Sequence, residues 1–128
     1  MRYLLDTHIV IWAMVGSAKL SSVARDILES TDSQLYVSSV SIWEIAIKHA
    51  LRPTEMPVNA SQMIRFCRES GIMELPVHFR HSQRVATLPL YHNDPFDRML
   101  VAQAMEDGMR LLSHDQKLPP YGDVVLSV

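Results

Sequence analysis

Four carboxylates, Asp6, Glu44, Asp97 and Asp115, lie far apart in this 128-residue sequence, yet each falls near the end of an expected strand or the start of an expected helix. Carboxylates gathered in one place repel one another and are stable there only if something positive joins them. An all-oxygen donor set suits Mg²⁺ or Mn²⁺ rather than zinc. The single cysteine, Cys67, excludes an intrachain disulfide and a thiolate metal cluster. Helix N-termini beside such a site would favour a phosphate. One or two divalent ions there could activate a water, polarise a phosphodiester and stabilise the leaving oxygen, so the chemistry indicated is phosphodiester hydrolysis.

The elements that would position these acids follow from the apolar pattern. Tyr3-Leu4-Leu5 reads as a buried strand ending at Asp6, Leu35-Tyr36-Val37 as a second, residues 72–77 as a third and Leu111-Leu112 as a fourth that ends near Asp115. Residues 124–128 could add a fifth at an edge. Helices are expected over 22–30, over 41–51 up to Pro53, and from Asn59, with Gln62 as capping-box partner and Gly71 as stop. Another should cover 78–88. Asp94 can cap a further helix that has Pro95 at its first position and Gly108 at its end. Continuously apolar strands alternating with helices indicate a parallel sheet covered on both faces. Functional groups of such sheets collect beyond the carboxyl ends of the strands, and that edge is where all four acids should fall.

Each acid also has a local explanation. Asp6 could end a strand in a turn, Ser41 and Glu44 fit a capping box, Glu44 and Lys48 form an i,i+4 pair, Asp97 complements a helix dipole, and Asp115 suits a loop. Their joint placement favours the site. His78 and His81 lack a further Cys or His cluster and read as a solvated face, whereas His92 and His114 could approach the acids. Trp12 and Trp43 read as core or interface residues, and Cys67 as buried.

The formal net charge of −2 argues against a generic nucleic-acid coater. Neutralising the four acids takes it from −2 to +2, so a local basic rim for RNA stays open. Arg2, the apolar run from Ile9 to Val15 and Gly16-Ser17-Ala18 superficially suggest a secretory signal. Asp6 and His8 interrupt that stretch, which reads instead as a buried strand and helix. No stretch reaches the roughly 20 apolar residues of a membrane span. A soluble, cytoplasmic protein of one domain is the expectation.

The segments Leu4-Leu5-Asp6-Thr7-His8, Ser39 through Lys48 (SVSIWEIAIK), His92-Asn93-Asp94-Pro95-Phe96-Asp97-Arg98 and Leu112-Ser113-His114-Asp115 resemble the PIN-domain family, and more closely its VapC-type toxin branch. The resemblance covers almost the whole chain. It implies an α/β fold, a PIN-like α/β/α sandwich with a central, mainly parallel sheet of four to five strands, as a single PIN domain over 1–128. It implies a Mg²⁺- or Mn²⁺-dependent endoribonuclease, a homodimer, and a neutralising VapB-like antitoxin. Asp6, Glu44 and Asp97 match the principal acidic ligands and Asp115 a fourth. Thr7 and Ser38 would orient Asp6 and the metal waters, and Asp94 is an extra acid that primarily caps its helix. Arg98, Lys48 and Arg52 are candidates for RNA phosphate contact. The expected reaction is attack of water on an RNA phosphodiester, leaving a 5′-phosphate and a 3′-hydroxyl.

Two rival classes remain. A phosphatase of the haloacid-dehalogenase kind would want a second Asp two residues beyond Asp6, where His8 stands. A non-catalytic module would use the acidic edge only to dock a partner's arginine.

Overall fold

A computed structural model of the protein describes residues 1–128. The strands are β1 (Arg2–Leu5), β2 (Gln34–Ser38), β3 (Met73–Leu75), β4 (Arg110–Ser113) and β5 (Val125–Ser127). The helices are α1 (Thr7–Val15), α2 (Ser22–Glu29), α3 (Ser39–Leu51), α4 (Ala60–Glu69), α5 (Phe79–Val85) and α6 (Pro95–Asp107), with one 3-10 turn at Pro119–Tyr121. The five strands form one sheet in the order β3-β2-β1-β4-β5, and every pairing is parallel.

Successive strand residues point to opposite faces, and two cores result. Leu5, Val37 and Leu112 join Ile9, Val10, Ile45 and Met63 on the face covered by α1, α3 and α4. Leu4, Leu75, Leu111 and Val125 join Leu100, Val101 and Ala104 of α6 on the other. Leu4, Leu5, Leu111 and Leu112 are fully buried, and each contributes roughly 1.5–3 kcal/mol by leaving water. No helix is long and apolar enough to cross a membrane.

Local signals act largely as their chemistry dictates. Asn59 and Gln62 form the reciprocal capping box of α4. Asp94 caps α6 ahead of Pro95, and Gly108 ends it in the left-handed conformation at φ 65°. Three expectations need correction. Helix α3 begins at Ser39 rather than Ser41, because the Ser38 hydroxyl accepts the Val40 N–H at 3.0 Å. Ser41 is therefore no cap, and Glu44 sits in the second turn. His81 is fully buried rather than solvated. Its Nδ1 accepts the His78 N–H at 2.9 Å, and Nε2 lies 3.0 Å from Asp107, which also takes two bonds from Arg80. Against its own desolvation, those partners hold the Asp107 carboxyl below its usual range and tie α5 to α6.

Candidate metal centre

Asp6 follows β1 directly and is almost fully buried. Its N–H donates to the Leu112 carbonyl at 3.0 Å, so the pairing of β1 with β4 extends to the acid itself. One carboxylate oxygen accepts the His8 N–H at 3.3 Å, capping α1, and the other accepts the Ser113 hydroxyl. Burial pushes the Asp6 carboxyl upward and nearby Glu44 pushes the same way, while Ser113 and His8 oppose them.

Glu44 reaches the same edge from α3 and is equally buried. Its Oε1 accepts the Thr7 hydroxyl at 2.8 Å, and Oε2 pairs with Lys48. Thr7 Oγ1 also lies 2.8 Å from Ser41 Oγ. A hydroxyl has one proton and a carboxylate only accepts, so Ser41 is the donor in that second contact. Thr7 thus aligns Glu44, while Ser38 only caps α3.

Asp97 projects from the first turn of α6, where the Asp94 side chain accepts the N–H groups of Phe96 and Asp97 at 2.8 and 3.4 Å. Its carboxyl is pushed up to about 8, first by burial and then by repulsion from Asp6, Asp94, Glu44 and Asp115. Asp115 follows β4 and is more open. Desolvation acts upward on it too, but the Lys117 N–H at 2.9 Å and His92 bring it below its usual range.

His92 completes the cluster. Its Nε2 lies 2.8 Å from Asp115 Oδ2 and 3.2 Å from Asp97 Oδ2. The Asp94 N–H donates to Nδ1 at 3.0 Å, which fixes the neutral ring as the Nε2–H tautomer and makes it a donor to both acids. One ligand-capable atom from each of His92, Asp97 and Asp115 fits within 4.8 Å of the others.

The four sequence-designated acids thus meet at one sheet edge, and His92 joins them while His114 does not. The His114 ring bonds the Val128 carbonyl at 2.7 Å and packs against Trp12. Ser113 was not anticipated. Aligning Leu4-Leu5-Asp6 with Leu111-Leu112-Ser113 as parallel neighbours would have found it, because Leu5 pairs with Leu112. Arg98 needs reassignment. Its Nη1 donates to the Pro89 carbonyl and the Tyr121 hydroxyl, and its Nη2 to the carbonyls of Val85 and Leu88. Four of its five N–H groups face protein acceptors, leaving no fork for a phosphate. Lys48 and Arg52 are more open, and with His8 and Glu55 they line a cavity of about 340 Å³.

The donor set fits a hard divalent cation, because the acids' mutual repulsion is the defect that such an ion corrects. One consequence can be measured without any ion. The folded-state value of about 8 for Asp97 exceeds its ordinary value of 3.8, so the folded protein binds more protons between them. Stability must then fall as pH rises through that interval, with the loss complete above about 8. The raised Asp6 acts in the same sense, whereas the lowered Asp107 and Asp115 act only in the acid range. The melting temperature in EDTA should be lower at pH 8.5 than at pH 6. Saturating Mn²⁺ should narrow the gap, and a flat profile in EDTA would contradict the electrostatics. A second consequence concerns His92. His92→Ala should weaken Mn²⁺ binding by about 10- to 100-fold, as lost positioning partners of metal ligands do, with titration calorimetry as the readout.

A parallel sheet with acids massed at the carboxyl edge of its central strands defines a class, and comparison with known proteins gives it a name. The PIN-domain family model matches residues 3–123, and the chain belongs to the PIN-domain family. Within that family it is similar to Ribonuclease VapC22 of Mycobacterium tuberculosis, 28% identical over 119 residues, covering 90% of this chain and 88% of that one. The fold matches VapBC2 from Rickettsia felis bound to a DNA fragment from their promoter, at TM-score 0.73 and 15% identity over 100% of this chain and 98% of that one. It also matches a toxin-antitoxin complex from Klebsiella pneumoniae, at TM-score 0.67 and 18% identity over 98% and 96% of the two chains.

Proposed function

We propose that the protein is a Mg²⁺- or Mn²⁺-dependent endoribonuclease of the VapC toxin type, acting as a single cytoplasmic domain and a homodimer and neutralised by a VapB-like antitoxin. The observation that carries this reading is the meeting of Asp6, Glu44, Asp97 and Asp115 at one edge of the sheet, where burial first and the neighbouring acids second push the Asp97 carboxyl up to about 8. Asp6, Glu44 and Asp97 would anchor the cation, with Asp115 beside them. A bound cation would polarise the phosphodiester and lower the pKa of water, supplying the nucleophile at neutral pH. Ser113 and Thr7 hold Asp6 and Glu44 in place, so little reorganisation is needed when the cation enters. Lys48 and Arg52, the latter paired with Glu55 at 3.4 Å, would meet a flanking phosphate at the cavity they share. His92 carries a proton at Nε2 beside the acids and keeps Asp97 and Asp115 turned inward.

The test is cleavage of total cellular RNA by the antitoxin-free protein in Mg²⁺, Mn²⁺ or EDTA. Discrete new ends bearing 5′-phosphates that require the metal support the reading. Inertness in both metals removes it. A docking role has one observation in its favour, since Lys48 already pairs with Glu44 and a partner's guanidinium could approach the acids similarly. A docking module without nuclease activity would not bind Mn²⁺ in a manner dependent on Asp6.

A further inference from the structure

Beside the acids lies an aromatic surface that no part of the chain covers. Trp43 is 60% exposed, although a side chain of its size is ordinarily largely buried. It meets Phe96 edge to face, with ring centroids 5.3 Å apart and planes at 74°. Lys48 Nζ stands 6.0 Å from the centre of the Phe96 ring. Trp43 and Phe96 line a cavity of about 420 Å³ together with Leu90 and the exposed Asn93.

Position gives this surface its meaning. Trp43 immediately precedes Glu44 and Phe96 immediately precedes Asp97. One helical residue step turns a side chain by about 100°, so the rings stand next to the carboxylates rather than among them. A perpendicular ring pair leaves an aromatic face open to a third ring. The Asn93 amide offers both a donor and an acceptor, the functions a base edge requires. We propose that Trp43 and Phe96 form a stacking subsite for an unpaired RNA base adjoining the scissile phosphate, and that stacking on Trp43 holds the base where the Asn93 amide reads its edge. This rests on the endoribonuclease reading and extends it to specificity. A second copy of the chain is the competing occupant, but polar Asn93 and Ser82 share the cavity lining and Lys48 flanks it. Exposed apolar side chains that a second copy could cover also stand elsewhere, Met73, Val77 and Phe79 among them.

The experiment compares the natural protein, Trp43→Ala and Trp43→Phe on total RNA in Mn²⁺, with mapped 5′ ends and with KM on an oligonucleotide spanning one mapped site. Sedimentation gives the oligomeric state of each. Trp43→Ala should keep metal-dependent cleavage and a cooperative melt only a few degrees lower, about the loss of one aromatic pair, while KM rises about 5- to 100-fold, the range for one lost stacked base. Base preference at one position beside the cut should flatten, and Trp43→Phe should recover most of both. Unchanged KM and cut sites in Trp43→Ala overturn the subsite while leaving the nuclease standing. Loss of dimer in step with loss of cleavage assigns the surface to a second copy and also overturns it. Failure of the natural protein itself to cut in any metal removes the nuclease reading, and the subsite with it.

Discussion

Asp97→Asn is expected to lose RNA cleavage by about 10³-fold or more and, in EDTA at pH 8, to melt at a higher temperature than the natural protein. The first effect follows from removing one anionic ligand, since an amide oxygen cannot supply the charge that holds and tunes a divalent ion. The second follows from removing a charge that burial and four neighbouring acids oppose. The amide oxygen still accepts from His92 Nε2–H, so the hydrogen bond survives while the repulsion goes. Relief of such repulsion contributes roughly 1–2 kcal/mol, in keeping with other stabilising changes at strained functional sites. At about 4 °C per kcal/mol for a chain of this size, the melting temperature should rise by about 4–8 °C. The paired measurement is informative because a merely structural Asp97 would lose stability on substitution. Cleavage surviving in Asp97→Asn would remove the acid from the site, and a lower melting temperature would remove the repulsion.

Arg98 supplies the second large effect, in the opposite direction. Its guanidinium joins the first turn of α6 to the end of α5, to Pro89 and to Tyr121. The Tyr121 hydroxyl in turn donates to the Pro89 carbonyl at 2.8 Å and receives the His92 N–H at 3.2 Å. Arg98→Ala leaves several carbonyls without a donor and should cost about 2–4 kcal/mol. Arg98→Lys should restore little, because one ammonium cannot span four acceptors set out for a planar fork. Both variants should melt about 8–15 °C lower, and Mn²⁺ affinity should drop as the segment carrying His92 loosens. A phosphate-contacting arginine would behave otherwise, with Arg98→Lys keeping native stability and raising only KM.

The contrast between Asp97 and Arg98, neighbours in sequence, shows where sequence reading reached and where it stopped. Parallelism and the edge at which the acids meet follow from alternation of apolar runs with capped helices, and the structure has that arrangement, whereas the strand order β3-β2-β1-β4-β5 is not legible from alternation alone. Asp94, Pro95 and Gly108 marked α6 because their backbone preferences are local. Arg98 could not be read in the same way. Its partners are spread over the end of α5, the irregular stretch after it and the 3-10 turn, and an arginine's acceptors depend on how those three pieces come together. His81 escaped for a related reason, because a buried imidazole paired with Asp107 looks in sequence like any polar helix residue. Ser38 and Ser41 exchanged their expected places because helix α3 begins two residues earlier, a shift well within the fraying of helix ends.

The bond from Ser113 to Asp6 spans 107 residues of chain and closes on the strand that sits at the middle of the sheet. A chain made only through α6 carries Asp6, Glu44 and Asp97, but neither Ser113 nor Asp115. At that stage β1 has β2 beside it and nothing on its other side, and its acid lacks the Ser113 hydroxyl. On the proposed function, a translation product that stops before β4 is expected to be innocuous to the RNA around it, because its site is unassembled. Two pieces of chain 107 residues apart must meet before the site can threaten any message.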